Sequence, residues 1–136
     1  MKPLKIAVVD DDQIYQFIIN RTLTKLQPDS KILNFSNCAD FFNFLKRNRN
    51  QPQFLPDLAL LDLNSPFMDG WEFLESFEVM ANSLKKSIEI YIVTSSVDPN
   101  DEIQANDNPL VAGFFCKPIT PAQLLRMMEE VRVKSL

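Results

Sequence analysis

Six polar residues stand where short apolar runs end. Asp10 and Asp11 follow KIAVV, with Asp12 behind them; Asp62 follows LALL, Thr94 ends the run begun by IEIYIV, and Lys117 follows VAGFFC. One aspartate after an apolar run means little, because capping a helix is ordinary work for it. Carboxylates, a hydroxyl and an ammonium at four such ends form a specific constellation. Carboxylates gathered together repel and raise one another's pKa unless a cation intervenes. Mg²⁺ resolves that repulsion: it takes one or two carboxylates, keeps several waters and leaves room for a phosphoryl group. A carboxylate held beside such an ion can attack phosphorus and form an acyl phosphate. The metal, a lysine and a hydroxyl would then serve the phosphoryl oxygens.

The elements that must position these groups alternate along the chain. Lys5 to Val9, Lys31 to Phe35, Leu58 to Leu61, Ile88 to Val93 and Val111 to Cys116 read as five short strands. Gln13 to Leu26 reads as a helix whose stripe is Ile14, Phe17, Ile18, Ile19, Leu23 and Leu26, with Pro28 just beyond. Asn37 caps a second helix reaching about Arg47, with Phe41, Phe44 and Leu45 on one face and Phe42 pointing away. A third runs from about Gly70 to Ala81. Asp98-Pro99 and Thr120-Pro121 pair a cap with a first-turn proline and open the fourth and fifth helices, the last reaching about Val131. Asn106, Asp107, Asn108 and Pro109 cut the fourth short. Cys38 and Cys116 read as small buried hydrophobes. The fold class is α/β: a doubly wound five-stranded parallel sheet covered on both faces by five helices. In such a sheet function collects outside the carboxyl ends of the strands.

Composition removes other chemistries. The 136 residues hold no histidine, which excludes a His-based triad, an HExxH zinc site and a phosphohistidine carrier. Two glycines, Gly70 and Gly113, cannot build a P-loop or a dinucleotide fingerprint. A net charge of −4 without a long basic run argues against general nucleic-acid binding. No apolar run approaches a membrane span, and two distant cysteines without a CxxC suit a reduced, cytoplasmic setting. The length fits one domain over 1–136, with no output domain expected after the last helix.

The motifs VVDD (Val8 to Asp11), DLNSPFMDG (Asp62 to Gly70), Thr94 and Lys117-Pro118 stand in the order and spacing of the receiver domain of two-component response regulators, which the chain resembles from Lys5 to Val131. The resemblance implies the flavodoxin-like strand order 2-1-3-4-5. It implies Asp62 as phosphoacceptor, and Mg²⁺ held by Asp11 and Asp10, by Asp62 and by the backbone carbonyl of Asn64. Lys117 would contact Asp62 and then the phosphoryl group. Thr94 would bond a phosphoryl oxygen, and Phe114 would be the aromatic that turns inward with it. The Lys117-Pro118 bond is cis in the family. The phosphodonor would be a histidine kinase or histidine phosphotransfer protein, and the output an unknown protein bound by the face of the fourth helix, fifth strand and fifth helix. Monomer and weak homodimer both fit.

Two departures stand out. Ser65 replaces the usual methionine before the loop proline, which alters loop packing rather than chemistry. Asp12 extends a pair to a triplet, and a helix cap is one reading of it. The competing functions are a phosphorylation-independent pseudo-receiver used as an interaction module, and an aspartate-nucleophile phosphohydrolase. The second lacks an acidic residue two positions after Asp62, where Asn64 stands.

Overall fold

The computed structural model describes residues 3–134. Five parallel strands, β1 (Lys5–Val9), β2 (Lys31–Phe35), β3 (Leu58–Leu61), β4 (Glu89–Thr94) and β5 (Val111–Cys116), lie in the order β2-β1-β3-β4-β5. The helices are α1 (Gln13–Leu26), α2 (Cys38–Arg47), α3 (Gly70–Ala81), α4 (Pro99–Asn106) and α5 (Pro121–Lys134). A single 3-10 turn at Pro52–Phe54 sits in the loop before β3. β4 starts one residue later than the apolar run suggests and takes in Thr94, which pairs with Cys116.

The central strands are apolar through their middles, with Lys5, Glu89 and Thr94 only at strand ends, because both faces are covered. Ala7, Val9, Ala59, Leu61, Ile90 and Ile92 point to one face, against Phe41 and Leu45 of α2, Phe73, Leu74 and Phe77 of α3, and Ala105 of α4. Ile6, Val8, Leu58, Leu60, Tyr91 and Val93 point to the other, against Ile19 and Leu23 of α1 and Leu124, Met127, Met128 and Val131 of α5. Phe41 of α2 stacks on Phe73, which stacks on Phe77, with centroids 5.3 and 5.6 Å apart. Phe42 is half-buried and meets Phe73 edge-on. Gly113 lets β5 lie close to Tyr91, since a Cβ there would come within 3.1 Å of that ring.

Two packing expectations are corrected. The apolar residues of α1 do not form one stripe. Ile19 and Leu23 are buried, whereas Ile14, Phe17 and Ile18 are 74, 60 and 55% exposed. At 100° per residue, positions 14, 17, 18 and 21 form a second face, turned away from the sheet. Arg21 lies over the Phe17 ring on that face, 5.6 Å from its centroid. Cys116 is exposed while Cys38 is buried, because β5 is an edge strand and Cys116 is its last residue.

Caps set where the helices start. Asp12 accepts the backbone N–H groups of Ile14 and Tyr15 at 3.0 and 3.1 Å, so the third aspartate is the α1 cap. Asn37 accepts from Asp40 N–H, and Asp69 and Glu72 form a reciprocal capping box at α3. Thr120 and Gln123 bond reciprocally at the start of α5. Among the described residues no helix is long and apolar enough to cross a membrane.

Candidate functional site

Register brings the strand ends together. Val9 pairs with Phe35 on one side and Leu61 on the other, so the next residues, Asp10 and Asp62, emerge side by side. Asp10 N–H donates to Phe35 C=O at 3.0 Å and Asp62 N–H to Val9 C=O at 3.1 Å. Lys117 N–H donates to Thr94 C=O at 2.8 Å, which fixes where the lysine leaves β5. The Lys117-Pro118 peptide that follows is cis.

Carboxylate oxygens of Asp10, Asp11 and Asp62 all lie within 4.8 Å of one another. Asp10 and Asp62 are buried and Asp11 is exposed, so the group opens to solvent on one side. Lys117 reaches in from β5: its Nζ bonds Asp10 Oδ2 at 2.5 Å and Asp62 Oδ2 at 3.3 Å. The other Asp10 oxygen accepts Asp12 N–H at 2.9 Å, and the other Asp62 oxygen accepts Asn64 N–H at 3.2 Å.

Burial pushes the Asp62 carboxyl above its ordinary range, and the nearby Lys117 charge offsets part of that rise. Burial alone would lower Lys117; its bond to Asp10 and the charge of Asp62 outweigh that and hold its pKa above the usual lysine value. All-oxygen donors, two of them buried and short of positive charge, suit a hard divalent ion such as Mg²⁺.

Thr94 is fully buried at the neighbouring strand end, and its hydroxyl accepts Ser96 N–H at 3.2 Å. Ser96 Oγ donates to Asp101 of α4 at 2.5 Å, and the same carboxylate accepts the Trp71 indole N–H from α3 at 3.2 Å. The Thr94 loop is thus tied to two helices. Phe114 is half-buried and packs on the α2–α3 side of the sheet.

Gln16, Cys38 and Tyr15 escape sequence reasoning as contributors to the site, and Ser65 stands out in the sequence only as a change in loop packing. Gln16 of α1 aims its amide NH₂ at the carbonyls of Val8, Asp10 and Phe35, 3.0 to 3.1 Å away, pinning the ends of β1 and β2. Ser65 Oγ accepts Cys38 N–H at 2.8 Å, so the loop after Asp62 is fastened to the start of α2. Cys38 Sγ lies 3.9 Å from the Asp62 carbonyl, and burial pushes this thiol up to about 12. Tyr15 lays its ring against Lys117, with Nζ 4.2 Å from the centroid. Nothing in the sequence pairs Tyr15 with Lys117. The loop also holds Phe67 at φ 71° with its side chain 90% exposed.

Comparison with known proteins gives the family and the fold. The model of the response regulator receiver domain matches residues 6–129. The chain is 25% identical over 130 residues to a probable methanogenesis regulatory protein, FilR2, of Methanothrix harundinacea, covering 96% of this chain and 82% of that protein. It is 31% identical over 122 residues to the transcriptional regulatory protein FlgR of Helicobacter pylori, covering 90% of this chain and 28% of that one. Its fold is similar to a crystal structure of a two-component response regulator from Cytophaga hutchinsonii, with a TM-score of 0.85, 22% identity, and coverage of 96 and 98%.

Proposed function

The chain belongs to the response regulator receiver family, and from that premise we propose that it is a phosphorylation switch whose phosphoacceptor is Asp62. It is a signalling module rather than a conventional enzyme. The observation that carries the reading is the ammonium of Lys117 shared between Asp10 and Asp62 inside a three-carboxylate cluster.

A carboxylate oxygen of Asp62 attacks the phosphorus of a phosphohistidine. The P–N bond breaks, with its electron pair passing to the imidazole nitrogen, and an acyl phosphate forms on Asp62. Asp10, Asp11, Asp62 and the Asn64 carbonyl would hold Mg²⁺, which when bound supplies positive charge to the phosphoryl oxygens. Lys117 hands its hydrogen bond from Asp62 to a phosphoryl oxygen. Thr94 turns its hydroxyl from Ser96 toward another. That pull loosens the Ser96–Asp101–Trp71 chain and frees Phe114 to repack, which reshapes the face of α4, β5 and α5 for an output protein.

The chain holds no histidine, so the phosphohistidine that serves it lies outside these 136 residues, in a histidine kinase or a histidine phosphotransfer protein. The exposed Ile14, Phe17 and Ile18 face of α1 starts one turn from the carboxylates and offers that donor an apolar surface beside the crevice. Incubation with Mg²⁺ and acetyl phosphate, followed by intact mass, tests the reading. One added phosphoryl group is expected, absent without Mg²⁺ and absent in Asp62→Asn. No adduct, together with no binding of beryllofluoride, would replace the switch with a phosphorylation-independent interaction module.

A further inference from the structure

Lys117 has a third neighbour besides its two carboxylates. Tyr15, in the first turn of α1, presents its ring face to the ammonium at 4.2 Å. That is well inside the range of a cation–π contact, and such contacts gain strength where water is excluded. Three features hold the ring there. Its backbone N–H is taken by the Asp12 cap. Its side chain packs against the α1–α5 core cluster. Lys117 itself is only 17% exposed.

The ring differs from the carboxylates in one respect. Asp10 and Asp62 are the groups that a divalent cation and an incoming phosphoryl group would claim. A flexible four-carbon stem that loses both anchors is free to swing toward water. The ring is neutral, coordinates no hard cation and competes with neither, so it keeps its hold at the moment the carboxylates let go. The phenol hydroxyl contributes nothing comparable: among the described residues the buried Tyr15 Oη finds no hydrogen-bond partner. Burial, with Asp10 and Asp62 nearby, keeps that phenol protonated and the ring uncharged.

We propose that Tyr15 is a positioning residue, whose ring face holds the Lys117 ammonium over the carboxylate crevice and thereby sets the rate at which Asp62 takes a phosphoryl group. The rate claim rests on the function proposed above; the ring–ammonium contact can be read without it.

The test compares Tyr15→Phe, Tyr15→Leu and Tyr15→Met, each checked for native circular dichroism. Initial rates of acetyl phosphate labelling are followed by intact mass at saturating Mg²⁺. Tyr15→Phe keeps the ring and should stay within about twofold of wild type, while the aliphatic variants should lose roughly five- to tenfold in limiting rate, with a smaller change in half-saturation. A second reading uses metal-free protein without phosphodonor. The Lys117 ε-methylene protons should resonate upfield in wild type and Tyr15→Phe, through the ring current, and return to ordinary positions in Tyr15→Leu. Aliphatic variants as fast as wild type would overturn the proposal. So would Tyr15→Phe falling as far as Tyr15→Leu, which would assign the effect to the hydroxyl. If wild type takes no phosphoryl group, the proposed function fails and the rate claim with it, while the methylene shift still decides whether the contact exists.

Discussion

Replacing Gly70 with alanine tests how tightly the loop after Asp62 is packed. Gly70 opens α3, and its N–H donates to Leu63 C=O at 2.9 Å, closing the loop that begins at Asp62. A Cβ added there would lie 2.7 Å from Leu63 Cδ2, 2.9 Å from Leu63 Cα and 3.5 Å from the Asp62 carbonyl oxygen. Ordinary carbon–carbon contacts lie near 3.5–4.0 Å, so two of the three overlap. The Leu63 methyl has little room to turn, since that side chain is buried in the α2–α3 cluster. The Leu63 Cα cannot turn at all, and the backbone next to Asp62 must shift.

Overpacking of this kind costs about 1–3 kcal/mol. Alanine returns roughly 0.5–1 kcal/mol by restricting the unfolded chain. A net loss of about 1 kcal/mol, and at most about 2.5 kcal/mol, follows, and with an unfolding entropy of about 2.1 cal/mol/K per residue the melting temperature should fall by about 4 °C and at most about 9 °C. Urea unfolding followed by circular dichroism reads the loss, and acetyl phosphate labelling should slow in the same variant because Asp62 moves with Leu63. A Gly70→Ala protein as stable as wild type, with unchanged labelling, would refute the packing argument.

Two further outcomes follow from the same loop. In metal-free buffer Asp62→Asn should be more stable than wild type at pH 7. The folded-state pKa of Asp62 lies above its unfolded value, so wild type loses stability as pH rises from about 4 through the folded pKa, and the gain should vanish near pH 3, where both states are protonated; an unchanged urea midpoint across that range would contradict it. Phe67→Gly should raise stability by about 0.5–1 kcal/mol, because a bulky L-residue at φ 71° is strained and its 90% exposed side chain has little packing to lose; a lower midpoint would show that the aromatic does structural work.

The parts of the molecule legible in the sequence are those where one local signal has one structural solution. Continuous apolar runs at the central strands allow no other placement, and the residue after each run must appear at the sheet edge. Asp10, Asp62 and Lys117 are therefore readable, as is Asn37 as a cap. α1 is different. Its apolar residues cover two faces, and a helix pattern alone does not say which of Ile14 and Ile19 meets the sheet. The exposure of Cys116 depends on β5 being an edge strand, which is a property of sheet order rather than of the VAGFFC run. The Cys38–Ser65 and Tyr15–Lys117 contacts join segments far apart in the chain, and they follow only once the sheet has set the distances between its strand ends.

Trp71 is the one tryptophan in the chain. Its indole N–H ends on Asp101, the same carboxylate that holds Ser96 beside Thr94. Indole emission depends on the polarity and hydrogen bonding around the ring, so the light this protein gives off comes from the joint between α3 and α4 and from nowhere else of comparable intensity. A rearrangement of the Thr94 loop cannot release Asp101 without changing what the indole senses. The molecule thus carries an intrinsic optical gauge of the Thr94 loop, one carboxylate away from Ser96, and stopped-flow emission could follow movement of that loop in real time without a label.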